Sequence, residues 1–154
     1  MNFTAIPTKY IFMKNEYSAQ VSEMISAPIF KVWEALTTPE LIKKYFFGTD
    51  TETDWLVGSP ITFSGEWQGK IYQDKGTILA NDPGRMLQYS YWSSMSGIED
   101  LPENYVTVTY ELSEQQGQTL ITIRQDNIPT KEMKEHSTEN WNKVLKSLKE
   151  LMEQ

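Results

Sequence analysis

The residues that most often carry out catalysis or bind metals are scarce in this sequence. It contains one histidine, His136, and no cysteine. A conventional zinc site is therefore not expected, because zinc is held mainly by several imidazole or thiolate ligands. A Ser-His-acid triad would need a positioned serine, and the chain lacks a G-x-S-x-G segment to present one. We expect His136 to be an exposed or capping residue, and we identify no catalytic residue, metal ligand or cofactor.

Three carboxylates, Glu99, Asp100 and Glu103, gather in one short segment. Two acids can divide the roles of general acid and general base when burial drives their pKa values apart. The neighbouring residues here are serine, glycine, proline and asparagine, which is typical of a solvated loop. We therefore interpret the three carboxylates as exposed charges. The eight glycines are scattered along the chain and form no phosphate-binding loop.

Aromatic residues are the most distinctive feature of the composition, at 12% of the chain with five tryptophans. Many of them alternate with polar residues in segments that have a strand pattern, which directs them to one face. A packed core would account for any one of them, but three buried tyrosine hydroxyls and the amide of Gln125 would each need a hydrogen-bond partner. A cavity containing a ligand or ordered water would supply those partners. The candidate ligand-binding residues are Phe63, Trp67, Ile78, Tyr89, Tyr91, Val108, Tyr110, Ile123, Gln125, Trp141, Val144 and Leu148.

The composition also narrows the classes of partner and location. A net charge of -7 and a pI near 4.8 oppose binding to nucleic acid, because phosphate repulsion would not be neutralised. No apolar run is long enough to span a membrane, and the N terminus lacks the pattern of a signal peptide. The absence of cysteine fits a cytoplasmic protein. We expect an N-terminal arm over residues 1–16, which adds an edge strand or a flap, and one domain over residues 17–154.

The first elements of this domain are a strand and two short helices. Tyr17–Ile25 has the composition of a strand, and a helical pattern follows Pro28. Thr38 and Pro39 have the residue types that start a second helix, as N-cap and first-turn residue. This helix is predicted to end at Gly48, because glycine readily adopts a positive φ.

The rest of the domain reads as a sheet followed by a long helix. Residues 49–59 are polar and turn-rich, and residues 60–126 predict about five antiparallel strands with a hairpin at Gln116 and Gly117. A broad apolar sheet face must be covered, and residues 130–154 have the matching amphipathic pattern. The apolar residues of that helix are Met133, Trp141, Val144, Leu145, Leu148, Leu151 and Met152. The predicted fold is α+β, with a curved antiparallel sheet of about six strands against a long C-terminal helix and two short helices after the first strand.

Several segments, in this order, carry a family resemblance. They are residues 26–41, Gly58 with Phe63, Gly76, the Pro83-Gly84-Arg85 turn with Leu87, residues 106–112 and residues 141–148. Together they resemble the Hsp90-ATPase-activator-homologue (AHSA1) domain family of the START/Bet v 1-like superfamily, over residues 17–152. The sequence departs from the family at Tyr45 and Phe46, where tryptophan is usual, and at Asn140, where glycine is common. The resemblance implies a helix-grip fold and a cavity between sheet and helix that often takes an apolar small molecule, but it implies no single reaction.

Three functions are compatible with these observations. The first is non-catalytic binding of a small, mostly apolar molecule, with aromatic residues for affinity and tyrosine hydroxyls and Gln125 for orientation. The second, which the resemblance implies, is a protein-interaction role with the chaperone Hsp90. The third is a cyclase- or hydrolase-like enzyme, which no residue pattern supports and which we rank last. A homodimer is compatible with each of the three.

Overall fold

The structure is a computed structural model, and it describes residues 14–154. Its helices are α1 (Ile29–Thr37), α2 (Pro39–Tyr45) and α3 (Lys131–Met152). Its strands are β1 (Tyr17–Ile25), β2 (Asp50–Glu52), β3 (Pro60–Trp67), β4 (Lys70–Asp82), β5 (Met86–Tyr91), β6 (Val106–Gln115) and β7 (Gln118–Ile128). Of the arm expected over residues 1–16, residues 1–13 lie outside the described part of the chain.

The strands form one antiparallel sheet in the order β1-β7-β6-β5-β4-β3-β2. The predicted α+β helix-grip fold is therefore confirmed, with seven strands rather than about six. The additional strand is β2, which lies in the segment that was expected to be a polar, turn-rich loop. It has three residues, of which Thr51 lies opposite Phe63 of β3. A strand this short has no alternating pattern that its sequence could display.

The connection after α2 differs from the prediction. The helix stops at Tyr45 rather than at Gly48, and both Phe47 and Gly48 adopt a positive φ, of 54° and 73°. The amide of Thr49 donates to the carbonyl of Phe46 over 3.0 Å, so the chain already reverses ahead of the glycine. As a result, Phe46 lies on the connection rather than in the helix.

The start of α2 is closer to the prediction. Thr38 precedes the helix and Pro39 occupies its first turn, although the Thr38 side chain makes no capping hydrogen bond. The hydroxyl of Tyr45 donates to the carbonyl of Ala35 over 2.9 Å, which ties α2 to α1.

Helix α3 covers the apolar face of the sheet, as the amphipathic pattern predicts. At its start, the amide of Met133 donates to the side-chain oxygen of Thr130 over 3.1 Å, which satisfies one of the unpaired amides of the first turn. The buried residues of the helix are Trp141, Val144, Leu145 and Leu148. Within residues 14–154, no helix is long and apolar enough to cross a membrane.

Polar contacts fix the C-terminal end of α3 on β1. The Lys149 ammonium donates to the carbonyl of Met24 over 2.7 Å and to the carboxylate of Glu153 over 2.9 Å. The same carboxylate accepts a hydrogen bond from the amide of Ser26 over 2.7 Å. Lys149, and then the Ser26 amide, lower the pKa of Glu153. Of all the strands, β1 is the one on which α3 packs most closely.

Two glycines within the sheet allow a direct test of the packing. A methyl group on Gly76 of β4 would overlap the backbone carbonyl of Ser90, whereas one on Gly65 of β3 would meet the hydroxyl end of the Tyr72 side chain. A side chain can swing away, but a paired strand cannot. We therefore expect Gly76→Ala to lower the free energy of unfolding by about 3 kcal/mol, and Gly65→Ala by roughly 1 kcal/mol.

Urea denaturation of both variants beside the parent measures this difference. Neither glycine has a positive φ, so backbone strain is matched between the two variants. Equal losses of stability would contradict the packing described for Gly76.

Candidate functional site

Five aromatic side chains from five different segments form a closed ring of contacts between the sheet and α3. We call Phe46, Phe63, Tyr89, Tyr110 and Trp141 the aromatic cluster. Adjacent ring centroids around the cluster are 5.5 to 6.2 Å apart. Most of the pairs meet edge-to-face or tilted, which is the preferred arrangement for aromatic side chains. The cluster therefore joins the connection after α2, three strands and α3 into one unit.

The position of α3 explains why large side chains fill the space between the helix and this part of the sheet. The helix packs most closely on β1, at one edge of the sheet, while the cluster strands β3, β5 and β6 lie further along the sheet. Sheets twist and curve, so the distance between helix and sheet grows away from the point of close contact. Aromatic side chains have the length to bridge such a gap. Trp141 is the member of the cluster that α3 contributes.

The polar side-chain atoms of the aromatic cluster find partners within the protein. The hydroxyls of Tyr89 and Tyr110 lie 2.7 Å apart and share a hydrogen bond. The indole nitrogen of Trp141 donates to the side-chain oxygen of Gln125 over 2.7 Å. The expectation that buried tyrosine hydroxyls would depend on a ligand or ordered water is therefore wrong, because cross-strand pairing brings the hydroxyls to each other. Gln125 nevertheless lies beside the cluster, where the sequence placed it.

Burial also controls the ionisation of this region. It raises the pKa of Tyr45, Tyr89 and Tyr110 well above the ordinary tyrosine value, because the phenolate would lose its hydration. The hydroxyl pair therefore stays neutral and can donate hydrogen bonds at physiological pH.

A set of polar residues adjoins the cluster, on the inner face of β2, β4 and β5 and on the exposed turn that follows β5. We call Thr51, Asp74, Tyr91 and Ser94 the polar edge. Asp74, which is 7% exposed, accepts hydrogen bonds from the Tyr91 hydroxyl and from the amide and hydroxyl of Ser94, the latter two over 2.9 and 3.2 Å. The Tyr91 ring centroid lies 5.7 Å from that of Phe63. Burial, together with the negative charge of Asp74, raises the pKa of Tyr91.

Thr51 differs from the neighbouring buried threonine, Thr49. The hydroxyl of Thr49 lies 2.8 Å from that of Tyr72 and shares a hydrogen bond with it. The hydroxyl of Thr51, a residue that is 4% exposed, has no hydrogen-bond partner among residues 14–154. In the sheet, Thr51 lies opposite Phe63, and Phe63 in turn lies opposite Asp74. Thr51 and Asp74 therefore flank a ring of the aromatic cluster in one row.

The structure brings most of the candidate ligand-binding residues together and excludes one. The buried ones are Phe63, Ile78, Tyr89, Val108, Tyr110, Ile123, Trp141, Val144 and Leu148, and the half-buried ones are Tyr91 and Gln125. Trp67 is 56% exposed, so the expectation that it points into the interior is wrong. It pairs with Lys70 at the tip of the β3-β4 hairpin, beyond the end of the covered sheet face.

Sequence reasoning missed three residues of this region, namely Phe46, Thr51 and Asp74. On β4, Asp74 lies an even number of residues from Ile78, so its side chain is on the same inward face. A charged residue at an inward position was the signal that could have identified it. Phe46 was placed in a helix, and Thr51 lies on the strand that was not predicted. None of the three stands out by residue type alone.

The residues first considered for catalysis lie apart from the aromatic cluster. His136 is exposed on α3, with its imidazole 3.2 Å from the side-chain nitrogen of Asn140. Asp100 pairs with Lys75 over 2.7 Å and accepts from the hydroxyl of Tyr105 over 2.6 Å. These contacts, Lys75 first, lower the pKa of Asp100, while burial and then Asp100 raise the pKa of Tyr105 to about 12. In the described part of the chain, no three acidic or histidine side chains converge as metal ligands would.

A groove of about 370 Å³ lies elsewhere, between β1 and α3. Its lining residues are Ser22, Glu23, Asn142, Leu145, Lys146, Lys149, Glu150 and Glu153. These residues are mostly charged, and none belongs to the aromatic cluster or the polar edge. The groove is therefore separate from the candidate site.

The two buried threonines provide a matched test of the polar edge. Thr51→Val removes a hydroxyl that has no partner in the described structure, so we expect the free energy of unfolding to rise by about 1 kcal/mol. Thr49→Val removes the hydrogen bond to Tyr72, so we expect a decrease of about 1 kcal/mol. Chemical denaturation of both variants gives the comparison. If both substitutions destabilised the protein equally, Thr51 would have to be hydrogen-bonded in solution.

The tyrosine pKa values predict how stability depends on alkaline pH. In the folded chain the pKa values of Tyr45, Tyr89, Tyr91 and Tyr110 lie above the ordinary value of 10.0. Above about pH 10 the unfolded chain therefore releases protons that the folded chain keeps, and the free energy of unfolding falls as the pH rises. Below about pH 10 these tyrosines do not make the free energy of unfolding depend on pH.

Thermal unfolding midpoints across this pH range, combined with tyrosinate absorbance, measure the effect. Tyr110→Phe removes one of the four ionisations and should reduce the slope. Full tyrosinate absorbance in protein that is still folded would contradict the burial of the four hydroxyls.

Comparison with known proteins places this chain in a family. The model of the family "Activator of Hsp90 ATPase homolog 1-like protein" (AHSA1) matches residues 26–153. Among solved structures, the chain is similar to ChR145 from Cytophaga hutchinsonii, with 48% identity over 92% of this chain and 97% of that one, and a TM-score of 0.79. It is similar to CalU16 from Micromonospora echinospora, with 25% identity over 85% of this chain and 73% of that one, and a TM-score of 0.66.

A more distant neighbour agrees in fold alone. The Aha1 dimer from Colwellia psychrerythraea has 19% identity over 88% of this chain and 96% of that one, with a TM-score of 0.71. A search of the curated proteins found no match. The segment matched by the family model contains the whole aromatic cluster and polar edge, and it covers most of the chain. The chain therefore belongs to the Activator of Hsp90 ATPase homolog 1-like (AHSA1) family.

Proposed function

We propose that residues 17–154 bind a small, mostly apolar molecule at the aromatic cluster, between the sheet and α3, without catalysing a reaction. The observation that carries this proposal is the closed ring of aromatic contacts, which bridges the helix and the strands that lie away from it. Aromatic faces with a few fixed polar groups beside them are typical of small-molecule sites. The absence of cysteine from the sequence supports a cytoplasmic location as part of the proposal.

Phe46 is the side chain that would move to admit a ligand. It is half-buried and lies on the connection after α2, whereas the other members of the aromatic cluster lie in strands or in α3. Its side chain can rotate without breaking a hydrogen bond of the sheet or of α3. The Phe47 ring, whose centroid is 5.9 Å from that of Phe46, is exposed beside it. A ligand that replaced the Phe46 ring would keep the contacts to Phe63 and Trp141.

A chaperone-binding role is the second candidate. The family model is named for an activator of the Hsp90 ATPase, and the β3-β4 hairpin exposes Trp67 and Ile71, which suits a protein contact. We rank it second because an exposed hairpin does not require the aromatic cluster. An enzymatic role has no residue to support it, since the neutral hydroxyls of the cluster are paired with each other.

Native mass spectrometry and a thermal-shift screen with sterols, fatty acids and flavonoids test the proposal. We expect a non-covalent adduct, or a rise in unfolding midpoint with one chemical class. Phe46→Leu should weaken binding of that class roughly three- to tenfold, because aromatic contacts are lost. Phe30→Leu is the matched control, since Phe30 is 72% exposed on α1 and lies outside the cluster. The same spectra report whether the chain is a monomer or a homodimer.

The outcomes separate the two candidate functions. Equal binding by both variants would place the ligand away from the aromatic cluster. An adduct-free mass with no thermal shift, together with capture by purified Hsp90 that Trp67→Ala abolishes, would overturn the small-molecule proposal in favour of the chaperone role.

A further inference from the structure

We infer that the ligand is a monocationic amine carried on an apolar body, with its ammonium group bound by Asp74 at the polar edge. This inference rests on the proposed function, because it names the chemical class of the molecule that the aromatic cluster would hold. Three properties of the site point to it: a buried carboxylate with no ion-pair partner among residues 14–154, a buried hydroxyl with no hydrogen-bond partner in the same part of the chain, and neighbouring aromatic rings.

The first property is the charge of Asp74. Its three donors, Tyr91 and the amide and hydroxyl of Ser94, are all neutral. None of the ion pairs in residues 14–154 includes Asp74, and its neighbour Lys75 pairs instead with Asp100. A buried carboxylate is costly unless a cation neutralises it. It also has about four acceptor positions, so one remains for a further donor.

The second property is the row formed by Thr51, Phe63 and Asp74 across β2, β3 and β4. Adjacent strands are about 5 Å apart, so Thr51 and Asp74 lie roughly 10 Å from each other with the Phe63 side chain between them. The Thr51 hydroxyl can accept or donate a hydrogen bond and has no partner in the described structure. An ammonium group has several donors and could serve Asp74 while a second polar atom of the ligand meets Thr51.

The third property is the preference of the surroundings for positive charge. The rings of Tyr91, which donates to Asp74, and of Phe63, 5.7 Å from the Tyr91 ring, lie beside the carboxylate, and an aromatic face attracts cations. The chain as a whole carries a net charge of -7, which favours the approach of cations over anions. A ligand with a carboxylate would be repelled by Asp74 at close range. Among apolar molecules, the site therefore selects amines over fatty acids.

Asp74 could instead serve only to hold the turn at residues 93–96 through its bonds to Ser94. A structural role of this kind predicts that Asp74→Asn alters stability but not the ranking of ligands by charge. The test must therefore compare ligands that share one apolar body and differ only in their polar group.

Naphthylmethylamine, naphthylmethanol and naphthoic acid form such a set. At neutral pH they are a cation, a neutral molecule and an anion. We expect the wild-type chain to bind the amine about tenfold more tightly than the alcohol, as measured by titration calorimetry, and to bind the acid most weakly. Asp74→Asn should remove the preference for the amine. Asp82→Asn, which makes the same charge change at an exposed carboxylate paired with Arg85, should keep it.

Two further measurements guard against a variant that fails to fold. Thr51→Val should leave the binding of naphthylmethylamine within about twofold of the wild-type value, because the single polar group of this compound lies at Asp74, roughly 10 Å from Thr51. In the wild-type chain, nuclear magnetic resonance should show the Ser94 amide signal moving on addition of the amine and remaining fixed on addition of the alcohol, since that amide donates to Asp74.

Each result decides a separate point. Equal binding of the amine and the alcohol, or an unchanged preference in Asp74→Asn, would overturn the inference and leave the proposed function standing. If none of the three compounds bound, while another apolar molecule was retained in the native mass spectrum, the inference would again be wrong and the proposed function intact. Failure of every compound in both experiments would overturn both.

Discussion

The antiparallel pairing of β1 with β7 is the constraint on which the rest of the structure depends. It joins the first strand in the sequence to the last one, and it places β1 at the edge of the sheet where α3 packs. Lys149 and Glu153 then hold the C-terminal end of the helix on β1. Because the helix is fixed at this edge, the other strands curve away from it. The gap that results is filled by aromatic side chains, so the candidate site is a consequence of where the helix is anchored.

The same geometry explains why polar groups collect beside the aromatic cluster. Strands β2, β3 and β4 lie at the opposite edge of the sheet from β1, where the cover of α3 is least close. Here Thr51 and Asp74 are buried on either side of Phe63, and Asp74 accepts hydrogen bonds from Tyr91 and Ser94. Their buried oxygen atoms are shielded from water, so each of these atoms has a large effect on what the site can bind.

Much of this fold could be predicted from the sequence because its local signals agree with its tertiary contacts. The alternation in β6, the stripe on α3 and the Gln116-Gly117 turn, whose φ values of 55° and 82° suit a hairpin, are all local. Each of these signals can be identified from nearby residues in the sequence, without knowledge of the tertiary contacts. The face to which each inward tyrosine points follows from the same alternation.

The details of the site depended on register, which local patterns do not contain. The alternation of side chains along β3 predicted that Trp67 lies on the inner face of the sheet. Trp67 is nevertheless exposed, because it lies at the hairpin tip, which α3 does not cover. Tyr89 and Tyr110 pair because two strands align at that register, so their partners could not be known from either strand alone. Asp74 is the opposite of Trp67, because it is buried although the sequence did not predict it to be. A charged residue within a polar segment is interpreted as solvated until the residues that pack on it are known.

The long stretch of sequence between β1 and its partner β7 affects how a newly made molecule folds. Ser22 and Thr122 meet across the β1-β7 pair although they are 100 residues apart in the sequence. During synthesis β1 therefore has no sheet partner until β7 has emerged, and α3 emerges later still. Closing so long a loop slows folding, and an unpaired strand edge is open to other chains during the wait. The order of strands thus sets the interval in which each new chain is most exposed to aggregation.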